Sequence, residues 1–127
     1  DTCGFYDASI VGSGDLLTTQ AAMNSTASVI FKWMSPAHLA HYLLWATRFY
    51  ECVQGSVGYV KGTVTHLWHG SEDDKKKAER HSILTSCSYD PEQDIKKNPQ
   101  GIWCWSSKKF HLHRQVENYL GERRDDG

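Results

Sequence analysis

Two residues carry most of what this 127-residue chain says about chemistry: Asp15 and His69. Asp15 follows Gly12-Ser13-Gly14 and precedes the apolar pair Leu16-Leu17. That order places a carboxylate at the start of a helix, beside a glycine-lined space. His69 closes the stretch Val64-Thr65-His66-Leu67-Trp68-His69-Gly70, whose alternation of apolar and polar residues reads as a half-buried strand. A carboxylate can take a proton from a hydroxyl, and a histidine can shuttle a proton or bind a metal. Only the fold can bring the two together. Their side chains are expected on one cleft, within roughly 10–12 Å, the reach of a substrate plus a metal ion. The competing local reading makes Asp15 a capping residue and nothing more.

The elements that must hold these residues follow from pattern. The helix after Asp15 is expected from Leu16 to about Met23. The run Val29 to Met34 is apolar throughout and fits either a buried strand or a helix end. Ser35-Pro36 then opens the clearest helix, with Ser35 as N-cap, and Gly55 closes it after Gln54. Leu39, Tyr42, Leu43, Ala46, Phe49, Tyr50 and Val53 form its apolar stripe. His38 and His41 lie three apart there and read as surface or partnered histidines rather than metal ligands. Strands are expected over Tyr59 to Trp68 and Ile102 to Trp105, the latter with Trp103 and Trp105 on one face. Glu72 to Ser86 reads as a solvated, charged helix. Asp94 to Gly101 reads as a loop with at most one helical turn. Ser106 or Ser107 is expected to cap a last helix ending near Leu120.

Composition narrows the classes. A formal net charge of −1 argues against a binder of nucleic acid that works through a broad basic surface. No stretch approaches the roughly 20 apolar residues of a membrane span. The four cysteines, Cys3, Cys52, Cys87 and Cys104, are far apart and lack close zinc-ligand spacing. They read as thiols of a reducing compartment, which makes a cytoplasmic setting the expectation. The start on Asp1-Thr2-Cys3 suggests a processed or partial chain.

The motifs resemble a family when taken in order. Gly4-Phe5-Tyr6-Asp7 followed by Gly12-Ser13-Gly14-Asp15 is similar to the turn that opens the acceptor-side half of GT-A-type glycosyltransferases, most of all the galactosyltransferase-like members of the family-2 group. His66-Leu67-Trp68-His69-Gly70, with Lys75 to Arg80 behind it, resembles their metal-binding histidine and basic segment. Tyr89-Asp90-Pro91, Asp94-Ile95 and Gly101-Ile102-Trp103 resemble the C-terminal regions of bacterial proteins of this kind. The resemblance implies an α+β fold of three to four helices with a small β element, forming a single domain over residues 1–127. It implies Asp15 as the base for the acceptor hydroxyl. His69 would be the ligand of a divalent metal, usually manganese, with His66 as the fallback. Gly12, Gly14 and Trp68 would line the sugar site.

The same resemblance implies a nucleotide-sugar donor and a glycan acceptor as partners. Two features depart from it. Val11 and a lone Asp15 stand where the family often has a tryptophan and paired acids. The donor-binding half, with its Asp-x-Asp motif, is absent, so the chain is expected to be inactive alone and to pair with a donor domain or with itself. The alternative is a non-catalytic carbohydrate-binding or protein-interaction module, with tryptophans stacking on sugar rather than filling the core. A small metalloprotein built on His66 and His69 is a third reading.

Overall fold

The computed structural model of the chain describes residues 4–25, 32–65, 76 and 79–123. In chain order these hold α1 (Gly14–Ala22), α2 (Pro36–Val53), α3 (Arg80–Ser86), α4 (Pro91–Asp94), β1 (Ile95–Lys97), β2 (Trp103–Trp105) and α5 (Phe110–Glu122). The chain is thus α+β, with five helices among the described residues and one small antiparallel hairpin. In that hairpin Ile95 pairs with Trp105 and Lys97 with Trp103.

α2 forms where the sequence says it should. The Ser35 side chain accepts from the His38 amide at 3.2 Å, and Pro36 occupies the first turn where its missing N–H costs nothing. The chain leaves the helix at Gln54, which takes the left-handed conformation that closes helices. α1 packs against α2, and α5 packs against α3. The core joins Tyr6, Val11 and Leu17 to Tyr42, Phe49, Leu84, Tyr89, Leu112 and Val116.

Residues 4–13 have no strand partner among the described residues, so their carbonyls need other donors. Aromatic side chains from three parts of the chain supply them. Tyr89 Oη donates to the Ala8 carbonyl at 2.8 Å, and Tyr119 Oη donates to Val11 at 3.3 Å. Trp45 Nε1 donates to Gly4 at 3.2 Å, and Tyr42 Oη donates to Leu17, just beyond the segment, at 3.0 Å. This is how an irregular segment is held rigid enough to present the turn that follows it. Tyr89 is fully buried, so Tyr89→Phe strands the Ala8 carbonyl without a donor. The expected cost is about 1–2 kcal/mol, read as a lower denaturation midpoint at unchanged slope.

Several expectations are corrected. Residues 55–65 form no strand; Tyr59 and Val60 are 91% and 96% exposed, with no ladder partner among the described residues to pair an alternating sequence. A strand at Ile95–Lys97 replaces the expected loop, because pairing with β2 overrides the poor strand propensity of two lysines. α1 starts at Gly14, and its N-cap is Ser13, not Asp15. α5 starts at Phe110 after Lys109, and neither Ser106 nor Ser107 is its N-cap. Lys109 ties that start down instead: its Nζ donates to the buried Asp94 carboxylate at 2.8 Å and to the Ser88 carbonyl at 2.8 Å. His38, expected at the surface or partnered, is 1% exposed and belongs to the core. The expected strand residues 66–68 and residues 29–31 of the apolar run lie outside the described residues, while 32–34 form a turn rather than a strand or helix end.

Candidate functional site

The Gly12-Ser13-Gly14-Asp15 turn is built by close approaches that only these residues permit. The chain reverses at Ser9–Gly12, where the Gly12 amide donates to the Ser9 carbonyl at 2.9 Å and Ser9 Oγ donates to the Gly12 carbonyl at 2.8 Å. Gly12 has φ +108°, a conformation that side chains disfavour. Ser13 follows in the left-handed region at φ 69°. Gly14 then lies so near the Tyr6 carbonyl that a Cβ would stand 2.8 Å from that oxygen.

Arg80 and His81, at the start of α3, clamp this turn. The Arg80 guanidinium covers Gly12, and its Nη2 donates to Ser13 Oγ at 2.7 Å. Ser13 Oγ is then free to give its own proton to His81 Nε2, 3.0 Å away. Arg80 Nε also donates to His81 Nε2 at 3.4 Å, which makes Nε2 an acceptor and puts the ring proton on Nδ1. Trp33 stacks on His81 at 5.2 Å with planes 9° apart. Burial, and then the positive charge of Arg80, push the His81 pKa down to about 4, so the ring is neutral near pH 7. In the sequence Arg80 counts only as the end of the basic segment from Lys75, and His81 carries no role of its own; the signal that could have found them is His81 and Leu84 three apart, on a buried face of α3.

The clamp itself makes no use of Asp15. It stands in the first turn of α1, exposed, and its carboxylate has no hydrogen-bond or ion-pair partner among the described residues. It borders a shallow concavity of about 460 Å³ together with Phe5, Gly14, Thr18 and Thr19. The Thr18 and Thr19 side chains are already engaged: Thr18 Oγ1 accepts from the Tyr6 amide and Thr19 Oγ1 donates to the Asp15 carbonyl. Asp15 is thus the one acidic group among the described residues lining that concavity, held near the positive end of a helix.

Of the expected site residues, Asp15 and Gly14 come together at this concavity, while Gly12 lies against Arg80. His66, Trp68 and His69 lie outside the described residues, as does the expected Asp15–His69 pairing. Among the described residues no group of three or more histidines, cysteines or acids converges as a metal site requires. No helix among them is long and apolar enough to cross a membrane. No known family pattern, curated protein or solved structure matches the chain.

Proposed function

We propose that the chain is the acceptor-side part of a glycosyltransferase of the GT-A type, transferring a sugar from a nucleotide-sugar donor to an acceptor hydroxyl in the cytoplasm. The observation that carries this reading is the Asp15 carboxylate, without a partner among the described residues and presented on a clamped turn at the mouth of a concavity. Capping does not account for Asp15, since the N-cap of α1 is Ser13. In the reaction the acceptor oxygen attacks the anomeric carbon of the donor and the bond to the nucleotide diphosphate breaks. Asp15 takes the hydroxyl proton as attack proceeds, which needs the carboxylate within hydrogen-bond reach of that oxygen. The Arg80–Ser13–His81 clamp fixes the turn from which Asp15 projects, so the base does not have to be ordered at the moment of reaction.

A divalent metal, manganese with His69 and His66 as ligands, belongs to the same reading. Such an ion would neutralise charge on the departing diphosphate. The described residues offer no complete ligand set, so no step is assigned to it.

The test is sugar transfer by the longest form of the protein its gene encodes, with a panel of sugar nucleotides and monosaccharide acceptors, with manganese and with a chelator. Asp15→Asn is expected to lower turnover about 100-fold while leaving donor affinity within a factor of about two. The 127-residue chain alone is expected to transfer no sugar, because donor and acceptor must be held together. Transfer that survives Asp15→Asn would overturn the assignment of the base.

A further inference from the structure

The hairpin and the last helix enclose a second concavity. β2 turns Trp103 and Trp105 to one face, as the two-residue period of a strand requires. Opposite them α5 presents His113, Val116 and Glu117, and the groove between has a volume of about 580 Å³. That is the size of small-molecule sites, and too small for a second folded chain to enter. Both tryptophans are only half-buried. Each is braced by a cationic or basic neighbour: Lys97 Nζ stands 4.8 Å from the Trp103 ring, and His113 stacks on Trp105 at 4.2 Å. Lys97 is itself held, donating to Asp7 at 2.7 Å. The indole N–H of Trp103 is buried without an acceptor among the described residues, so no hydrogen bond of the fold explains why a tryptophan stands there.

We propose that this groove is a saccharide-binding subsite, taking one or two neutral sugar rings of the acceptor glycan. It rests on the sugar-transfer reading only for the choice of ligand class. Sugar rings pair an apolar C–H face with a rim of hydroxyls. The groove offers the matching halves: aromatic and apolar surface from Trp103 and Val116, walled at one end by the closed Trp105–His113 stack, and a hydrogen-bonding carboxylate from Glu117. A lipid or an apolar peptide would gain nothing from the exposed Glu117 carboxylate and would be penalised for covering it.

The experiment is titration of the ¹⁵N-labelled chain with methyl β-galactoside, methyl β-glucoside and N-acetylglucosamine, following indole and backbone amide signals. At least one sugar should give saturable shifts centred on Trp103, Trp105 and His113. Trp103→Ala should weaken that binding about tenfold. Glu117→Ala changes an exposed residue, leaves the core intact and should weaken binding about fivefold. The titration needs no sugar transfer, so the groove can succeed or fail independently of the catalytic assignment. The proposal is overturned if no sugar shifts these signals, or if the shifts persist in both Trp103→Ala and Glu117→Ala. It is also overturned if sedimentation shows the groove covered by self-association of the chain.

Discussion

Gly14→Ala is expected to destabilise the protein by about 2–3 kcal/mol, although alanine is the better helix former in general. The reason is local. A Cβ at position 14 would stand 2.8 Å from the Tyr6 carbonyl oxygen, and that oxygen belongs to backbone, not to a side chain that can swing aside. Tyr6 in turn is fixed by its neighbours: it is 4% exposed, packs edge-on against Tyr42 at 5.3 Å, and shares a hydrogen bond of 3.0 Å with His41 Nδ1. Relief must therefore come from shifting α1 or residues 4–13, and either movement misplaces Asp15. Urea denaturation of the wild type and the variant measures the stability loss. Gly12→Ala makes an informative comparison, since its Cβ would meet the end of the Arg80 side chain at 3.0 Å but in a backbone region that alanine resists. A Gly14→Ala protein as stable as the wild type would show that the close approach of α1 to Tyr6 is not what sets the turn.

The parts of this fold legible in the sequence are those whose signals are local and agree with one another. α2 carries a cap, a proline at its start and a long apolar stripe, and it forms from Pro36 to Val53. β2 was legible because two tryptophans two apart declare one face. What stayed hidden depended on partners. Ile95-Lys96-Lys97 has little strand character of its own and becomes β1 only because Trp103–Trp105 lies beside it. The alternation over residues 59–65 has no such partner among the described residues, and Tyr59, Val60 and Val64 stay exposed. At the candidate site the acid was legible and its support was not. Asp15 stood out as a carboxylate after glycines, but Arg80 and His81 reach the turn across 67 and 68 positions of sequence. His38 was misplaced because histidine is read as polar. Its spacing from Tyr42, Ala46 and Phe49 puts it on the same buried face of α2.

Acidification from pH 7 to pH 4 is expected to cost the fold about 3 kcal/mol through His38 alone. His38 is 1% exposed, and neither ring nitrogen has a hydrogen-bond partner among the described residues. Tyr6 stacks near it at 6.2 Å and Tyr89 meets it edge-on at 5.1 Å, so its surroundings are aromatic rings. Burial first, and then the neighbouring His41 and His81, push its pKa from 6.5 down to about 4. Above pH 6.5 the ring is neutral in both folded and unfolded chains, and stability is flat. Between pH 6.5 and about 4 the unfolded chain takes up a proton that the folded chain refuses, so stability falls as pH falls. The gap of about 2.5 pH units, at about 1.4 kcal/mol for each, sets a limit of about 3.5 kcal/mol, of which about 3 is lost by pH 4, where the folded ring is itself half protonated. His81, pushed down to about 4 by burial and then by the Arg80 charge, deepens the same window. Asp94 acts in a separate, lower window. Burial favours its neutral form, but hydrogen bonds from Lys109, the Asp90 amide and Ser107 outweigh this and hold its pKa below 3.8, so its contribution is lost only under more acid conditions. The measurement is a series of urea denaturations from pH 7.5 to pH 4 on the wild type and on His38→Phe, which replaces an unpartnered polar ring by an apolar one of similar shape. The variant should match or exceed wild-type stability at pH 5 and lose much of the slope between pH 6.5 and 4. An unchanged slope in His38→Phe would place the acid sensitivity elsewhere and show that the buried imidazole finds a proton-sharing partner.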